Sequence, residues 1–172
     1  MNMLFLGDSL IEYFDWQGRF PQHNIVNLGI AGESVEGLLS RVMRIRERYS
    51  DADMIFIMSG INNVAMGDTE FIEFYRIILE KLFAAYPKAK IYIHSLLPTV
   101  VDFIPDESIR LVNNSLLELA RQSGVEYLDI FTRFLNTKGR PVREYLLDDG
   151  VHLSSHGYSV WSKVIEGIIK QK

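Results

Sequence analysis

Three side chains near the two ends of the chain have the functional groups needed for nucleophilic catalysis. Ser9 follows a short apolar run that ends in Gly-Asp, and His152 lies three residues after Asp149. A serine hydroxyl is a weak nucleophile at neutral pH, so it needs a base such as an imidazole to take its proton. A carboxylate can hold that imidazole in the required tautomer. These residue types predict a nucleophilic triad, provided that the fold brings them together.

A tetrahedral intermediate formed at Ser9 would also need hydrogen-bond donors. We expect the backbone N–H groups of Ser9 and Gly32 and the side-chain amide of Asn62 to supply them. Gly32 suits this role because a residue without Cβ lets the backbone approach a ligand closely. Taken singly, each residue also has a structural reading, since Asp and Ser cap helices and Gly and Asn form turns. Only a shared location would favour catalysis.

Strands and helices must position these residues, and the sequence pattern predicts where they lie. Short apolar runs alternate with longer amphipathic segments, which is typical of parallel βαβ units. We predict strands at residues 4–6, 24–30, 54–58, 91–94 and 127–130, and longer helices beginning near residues 35, 68, 105 and 154. The whole chain, residues 1–172, is expected to form a single domain. Its predicted fold is α/β, a three-layer α/β/α sandwich around a five-stranded parallel sheet in the flavodoxin-like order 2-1-3-4-5. The carboxyl ends of all five strands would then share one edge.

The irregular stretch from residue 131 to 153 is too long for an ordinary connection, so we expect it to be functional. It contains His152 and two candidate acids, Asp148 and Asp149. The apolar segment 97–104 is equally unusual for a loop. It could line an acyl pocket, cover part of the site, meet another subunit or simply pack under the next helix. Possible substrate-pocket residues are Asp8, Asn63, Val100, Phe103 and Ile104.

Other aromatic and imidazole side chains are expected to be structural. We predict core packing for Tyr13, Phe14 and Trp16, and a buried, hydrogen-bonded role for His94 near the end of the fourth strand.

Composition narrows the classes of partner. The net charge of −4 and the pI near 5.6 argue against nucleic acid. The absence of cysteine excludes disulfides and thiolate metal sites. No histidine pair has metal-ligand spacing, so we predict no metal and no cofactor. No apolar run reaches the roughly 18 residues of a membrane span, and the first strand leaves no room for a signal peptide in this sequence. We expect a cytoplasmic protein that acts on a small-molecule ester and can form a homodimer.

Four blocks of sequence, in order, resemble the SGNH or GDSL-type hydrolase family of esterases and lipases. They are Gly7-Asp8-Ser9-Leu10, Gly29-Ile30-Ala31-Gly32-Glu33-Ser34, Gly60-Ile61-Asn62-Asn63 and Asp149-Gly150-Val151-His152-Leu153. The resemblance implies that Ser9 is the nucleophile, that Gly32 and Asn62 are oxyanion donors, and that Asp149 and His152 are the acid and base. It spans nearly the whole chain.

Asn63 departs from the family pattern, which usually has aspartate at this position. The Gly-x-Asn-Asn block is similar to that of the catalytic subunits of intracellular platelet-activating-factor acetylhydrolase. The resemblance therefore implies a serine esterase that acts through an acyl-enzyme. Because the chain has short connections and no inserted domain, we expect short acyl chains such as acetyl, bound in a shallow groove walled by residues 100–104. A lysophospholipase or thioesterase acting on longer chains is the alternative.

A non-catalytic flavodoxin-like or receiver-like binding domain would have the same strand order. A receiver carries an acidic residue at the end of the third strand, where this chain has Ser59-Gly60. A flavodoxin carries a Ser/Thr/Gly-rich phosphate loop after the first strand, where Leu10-Ile11-Glu12 stands. Both differences favour the hydrolase.

Overall fold

In the computed structural model, which describes residues 1–171, five strands form one parallel sheet in the order β2-β1-β3-β4-β5. The strands are β1 (Asn2–Gly7), β2 (Asn24–Gly29), β3 (Met54–Met58), β4 (Lys90–His94) and β5 (Glu126–Leu128). The predicted fold class and strand order are confirmed. Strand β5 ends two residues earlier than predicted, because the N–H groups of Ile130 and Phe131 donate to Ser95 Oγ on the neighbouring chain segment.

Seven α-helices connect or follow these strands within residues 1–171. They are α1 (Ser9–Glu12), α2 (Trp16–Arg19), α3 (Val35–Arg48), α4 (Ile61–Ala65), α5 (Ile72–Ala85), α6 (Asp106–Ser123) and α7 (Ser155–Ile169). The side chains of Ser34 and Ser154 cap α3 and α7 by accepting from the third residue beyond each of them. The short helices α2 and α4 contain too few apolar repeats to be detected by periodicity.

Helix α5 begins at Ile72, later than the predicted start at Asp68. The Asp68 carboxylate instead accepts hydrogen bonds from the N–H of Glu70 and from the amide of Asn63. These bonds hold the segment before α5 in a turn, a common role for aspartate.

The central strands β1 and β3 lie in the core, and every residue of β3 is buried. Phe5 stacks on Phe56 across the two strands at 4.8 Å between ring centroids, and Phe56 stacks on Tyr92 of β4 at 5.0 Å. Trp16 of α2 and Trp161 of α7 meet edge to face at 5.0 Å over this aromatic row. On the other face, α5 packs between α3 and α6. Both faces of the sheet are therefore covered, as an all-parallel sheet requires.

The turn after β1 fits because Gly7 has no side chain. A Cβ at Gly7 would lie 1.9 Å from the carbonyl oxygen of Met58 on β3. A Cβ at Gly29 would lie 2.3 Å from the backbone nitrogen of Glu12. The glycines that open the first two sequence blocks thus allow β1 and β2 to end in close contact with their neighbours.

Gly7→Ala is expected to lower the free energy of unfolding by about 2 kcal/mol or more, because the backbone of β3 must move to accept the new methyl group. Urea denaturation measures this change. Gly167→Ala is the matched control, since its Cβ would enter open space on α7 and alanine favours helix. Equal stability of Gly7→Ala and the wild type would contradict the packing argument.

Candidate active site

The structure brings together the three predicted triad residues, which lie near opposite ends of the sequence. Ser9 is the first residue of α1, and its Oγ lies 2.9 Å from Nε2 of His152. Nδ1 of His152 lies 2.7 Å from Oδ2 of Asp149. These contacts form one continuous hydrogen-bonded chain from the hydroxyl to the carboxylate, which is the arrangement that activates a serine.

Asp149 is held by its own turn. Its Oδ1 accepts from the N–H groups of Val151 and His152, both at 2.9 Å. Desolvation raises the pKa of Asp149, but hydrogen bonds from Val151 and His152 outweigh it and bring the pKa to about 2. The carboxylate is therefore ionised at neutral pH. We assign the imidazole proton to Nδ1, facing this carboxylate, so that Nε2 is free to accept the proton of Ser9.

Asp148, the competing candidate acid, points away from the imidazole. Its side chain is fully exposed, and its nearest charged neighbour is Arg143, with 3.7 Å between Oδ1 and Nη2. Asp149, rather than Asp148, is the carboxylate that contacts His152.

The loop that carries Asp149 and His152 contains no α-helix or strand, only two short 3₁₀ helices at Phe131–Phe134 and Arg143–Tyr145, so other segments help to hold it in place. The N–H of Val100 donates to the carbonyl of Gly150 at 3.0 Å. Within the loop, the N–H of Leu147 donates to the carbonyl of His152 at 2.7 Å, and the Arg143 guanidinium donates to the Leu147 carbonyl. The segment after β4 therefore supports the loop that carries the base.

All three predicted oxyanion donors have a free N–H. Within residues 1–171, the backbone N–H groups of Ser9 and Gly32 have no hydrogen-bond acceptor. One amide hydrogen of Asn62 is used at the Glu33 carbonyl, 3.0 Å away, which leaves the second one available. The loop that carries Gly32 lies beside the Ser9 turn, because the N–H of Ile30 donates to the carbonyl of Gly7 at 2.9 Å.

Gly32 has the backbone geometry and the open surroundings expected of a donor facing a ligand. Its φ of +75° lies in the left-handed region, which favours glycine. A Cβ built on Gly32 would meet no atom within 4 Å. The backbone of Gly32 is therefore not enclosed by other segments on its Cβ side.

The five predicted pocket residues separate into two groups. Val100 and Phe103 are exposed, at 42% and 66%. In contrast, Asp8 and Ile104 are buried, and Asn63 is 1% exposed. Ile104 belongs to the core, and the side chains of Asp8 and Asn63 are buried as well. A role in the pocket stays a prediction for these residues.

Asn63 has contacts that explain why this chain can carry an amide where the family has aspartate. Its Oδ1 accepts from the N–H of Val35 at 3.0 Å, at the start of α3. Its Nδ2 donates to Glu36 at 3.0 Å and to Asp68 at 2.9 Å, and the bond from Asn63 is the main cause that lowers the pKa of Glu36. An ionised aspartate would repel both carboxylates, whereas the amide bridges them.

Tyr13 is an exposed aromatic side chain that the prediction of core packing missed. Its ring is 58% exposed and lies 5.4 Å from the imidazole of His152. The core prediction holds for Trp16, which is 1% exposed, and Phe14 is half-buried and stacks on Tyr158 at 4.4 Å. Tyr13 differs because α1 ends at Glu12, so the helical spacing that pointed it inward stops there.

His94 has the predicted structural role. It is fully buried, and its Nδ1 accepts from the indole N–H of Trp161 at 3.0 Å. Desolvation lowers its pKa to about 3, so the ring is neutral.

The profile of the GDSL-like lipase/acylhydrolase family matches residues 5–160. The chain belongs to this family. It is therefore a carboxylic ester hydrolase. No helix within residues 1–171 is long and apolar enough to cross a membrane.

Individual relatives agree with the family assignment. The platelet-activating factor acetylhydrolase IB subunit alpha2 of Rattus norvegicus is 26% identical over 176 residues, covering 99% of this chain and 76% of the relative. A solved structure from Streptococcus pneumonia, provisionally described as a platelet activating factor, is 28% identical with a TM-score of 0.86, covering 97% of this chain and 83% of the other. A lipolytic G-D-S-L protein from Veillonella parvula shares the fold, with a TM-score of 0.83 and 19% identity over 100% of both chains.

Asp8 is a buried carboxyl directly before the nucleophile. Its Oδ1 accepts from the N–H of Leu10 at 3.0 Å, and its Oδ2 has no partner within residues 1–171. Burial raises the pKa of Asp8 to about 7, with a smaller contribution from Glu33, while the Leu10 bond and His152 oppose the increase.

Asp8→Asn is expected to remove one pH-dependent component of stability. The unfolded chain ionises this carboxyl near pH 3.8, whereas the folded protein keeps the proton to about pH 7. The folded state therefore binds more protons between these values, and the wild type loses up to about 1.4 kcal/mol of stability per pH unit as the pH rises through them. The stability of Asp8→Asn relative to the wild type should increase across this range and stay level above it.

Urea denaturation at several pH values between about 4 and 8 measures this difference. Asp102→Asn, at an exposed carboxylate, is the control and should show no such trend. A difference between Asp8→Asn and the wild type that does not change with pH would mean that Asp8 is already ionised in the folded protein.

Proposed function

We propose that this hydrolase cleaves esters of short acyl chains through a Ser9–His152–Asp149 triad and an acyl-enzyme intermediate. The observation that carries the proposal is the continuous pair of contacts, 2.9 Å from Ser9 Oγ to Nε2 and 2.7 Å from Nδ1 to Asp149. The free N–H groups of Gly32 and Asn62 support it.

The first half of the reaction forms the acyl-enzyme. His152 Nε2 accepts the hydroxyl proton as Ser9 Oγ attacks the ester carbonyl carbon. The carbonyl oxygen becomes an oxyanion, which the N–H groups of Ser9 and Gly32 and the amide of Asn62 stabilise. The intermediate then collapses, the bond to the alcohol oxygen breaks, and His152 returns the proton to the leaving alkoxide. Asp149 stabilises the imidazolium present between these two transfers.

The second half regenerates the enzyme. His152 takes a proton from a water molecule, whose oxygen attacks the acyl carbon, and the same donors bind the second oxyanion. Collapse breaks the bond to Ser9 Oγ and releases the carboxylic acid. The proton on His152 returns to Ser9.

The exposure of the apolar side chains near Ser9 and His152 favours short acyl chains. Two exposed apolar side chains lie near His152: Tyr13 is 58% exposed and 5.4 Å from the imidazole, and Val100, whose N–H donates to Gly150, is 42% exposed. Phe103, in the same segment as Val100, is 66% exposed. Such a groove encloses few methylene groups, because exposed walls leave the rest of a long chain in water. The curated relatives are named acetylhydrolases, which supports the same choice.

Ser9→Ala should lower kcat by about 10⁴-fold or more against a soluble acetyl ester, since it removes the nucleophile. Asp149→Asn should cost about 10⁴-fold, because the imidazole loses its tautomer and orientation. Asp148→Asn, the matched control, should retain wild-type activity.

The measurements are steady-state hydrolysis and labelling by a fluorophosphonate, followed by mass mapping of the labelled residue. Label on Ser9 in the wild type supports the assignment. Full esterase activity in Ser9→Ala, or greater loss in Asp148→Asn than in Asp149→Asn, would falsify the triad.

The acyl-length preference is tested with p-nitrophenyl esters of increasing chain length, kept below their micelle concentrations. Each enclosed methylene contributes about 0.8 kcal/mol, so kcat/KM should peak within the first few carbons and then level off. Val100→Ser should shift this profile only for chains long enough to reach the loop. If kcat/KM keeps rising past about eight carbons, the groove is a lipid channel and a longer-chain lysophospholipase or thioesterase is the better assignment.

A further inference from the structure

A shielded ion pair between Glu33 and Arg41 lies beside Gly32, one of the predicted oxyanion donors. It takes no part in the proposed triad. Both carboxylate oxygens of Glu33 contact Arg41, with 2.6 Å from Nε to Oε1 and 2.6 Å from Nη2 to Oε2. The side chains of Arg41 and Glu33 are only 15% and 8% exposed. A fork-to-fork pair of this kind fixes the direction of both side chains, because two parallel hydrogen bonds are made at once.

Arg41 also attaches the pair to the sheet. Its Nη2 donates to the carbonyl of Leu28 on β2 at 2.7 Å. The stem of Glu33 packs over Gly37 in the first turn of α3, where an added Cβ would lie 2.7 Å from Glu33 Cγ. The Glu33 side chain is therefore held between the end of β2 and the start of α3.

The backbone of Glu33 connects this anchor to two of the proposed donors. Gly32, with its free N–H, is the preceding residue. The Glu33 carbonyl accepts one amide hydrogen of Asn62 at 3.0 Å, and this bond determines where the second hydrogen points. The Glu33 N–H closes the turn by donating to the carbonyl of Ile30 at 3.1 Å. Glu33 thus sets the position of the Asn62 amide relative to the Gly32 N–H.

We propose that Glu33 and Arg41 are positioning residues that hold the oxyanion hole in its working geometry before the substrate binds. Donors fixed in advance stabilise a developing oxyanion without the cost of reorganising, so the effect falls on the transition state and not on the bound ester. The proposal rests on the proposed function, because it assigns a role to the same Gly32 and Asn62 donors.

Glu33→Gln removes the charge with little change in size. We expect it to lower kcat by about 10-fold to 100-fold, less than the 10²–10³-fold loss caused by removing a donor outright, while KM changes less than about threefold. Arg41→Lys, which keeps the charge but loses the fork, should have a smaller effect. The pH at which kcat/KM is half-maximal should not move, because His152 and Asp149 keep their contacts. The rate of fluorophosphonate labelling at Ser9 should fall in parallel with kcat, since phosphonylation also places negative charge on an oxygen.

Gly37→Ala provides a second variant that does not depend on breaking the ion pair. The new methyl group displaces the Glu33 stem, while alanine in place of glycine favours the helix by up to about 1 kcal/mol. We expect kcat and the labelling rate to fall without loss of thermal stability. This variant decides the proposal if Glu33→Gln does not fold. Glu166→Gln, which breaks the Arg19–Glu166 pair between α2 and α7, is the matched control and should leave kcat unchanged.

A double-mutant comparison separates positioning from general stabilisation. Asn62→Ala alone should lower kcat by about 10²–10³-fold. In the Asn62→Ala background, Glu33→Gln should cost several-fold less than it does in the wild type, because one of the groups it positions has gone.

Three results would overturn the proposal: wild-type kcat in folded Glu33→Gln or Gly37→Ala, a loss confined to KM, or the full effect of Glu33→Gln in the absence of Asn62. Each of these leaves the activity of the wild type and the inactivity of Ser9→Ala intact. A wild-type protein that neither hydrolyses acyl esters nor reacts with fluorophosphonate would instead overturn the proposed function together with this inference.

Discussion

The site depends on one close approach in the sheet. Strand β1 ends against the carbonyl of Met58 on β3, in a space too small for any side chain at Gly7. This contact lets the chain turn at once, so that Asp8 is buried and Ser9 begins a helix at the carboxyl edge of the sheet. The aromatic row on β1, β3 and β4 keeps those strands in register underneath. Ser9 is therefore positioned by the buried centre of the sheet.

His152 and Asp149 are positioned in a different way, by a loop that contains no α-helix or strand. Asp149 both caps its own turn and orients the imidazole, so one carboxylate supplies the geometry and the electrostatics. The segment after β4 binds the loop through the N–H of Val100. A connection of this length would be mobile without such contacts, which explains why two irregular segments pack against each other beside the nucleophile.

Several carboxylates lie behind the site, and the structure balances them by three different means. Burial keeps a proton on Asp8 to about pH 7. Arg41 neutralises Glu33 through a bidentate pair. Asn63 donates its amide hydrogens to Glu36 and Asp68. Burial of Asp8 and pairing of Glu33 each avoid an unpaired negative charge near the proposed oxyanion, where it would oppose the reaction. The neutral amide of Asn63 removes no charge, and its hydrogen bond lowers the pKa of Glu36. Asp149 is the ionised carboxylate that contacts the imidazole. Its negative charge would stabilise the imidazolium that forms during the proposed reaction.

The sequence alone determined the strand order and the three triad residue types, because apolar periodicity and turn residues act over a few neighbouring positions. It also indicated Gly32 and Asn62 through their place after successive strands. The resemblance of the last sequence block already favoured Asp149 over Asp148, and the structure has Asp149 in contact with the imidazole. Only the tertiary structure showed that Tyr13 is exposed beside His152 and that Asp8, Asn63 and Ile104 are buried. The physical reason is that the direction of a side chain in a turn depends on hydrogen bonds and packing from segments far away in the chain. The hydrogen bond from the Asn62 amide to the Glu33 carbonyl is of the same kind. Glu33 follows β2 and Asn62 follows β3, so the sheet must form before the amide can reach the carbonyl.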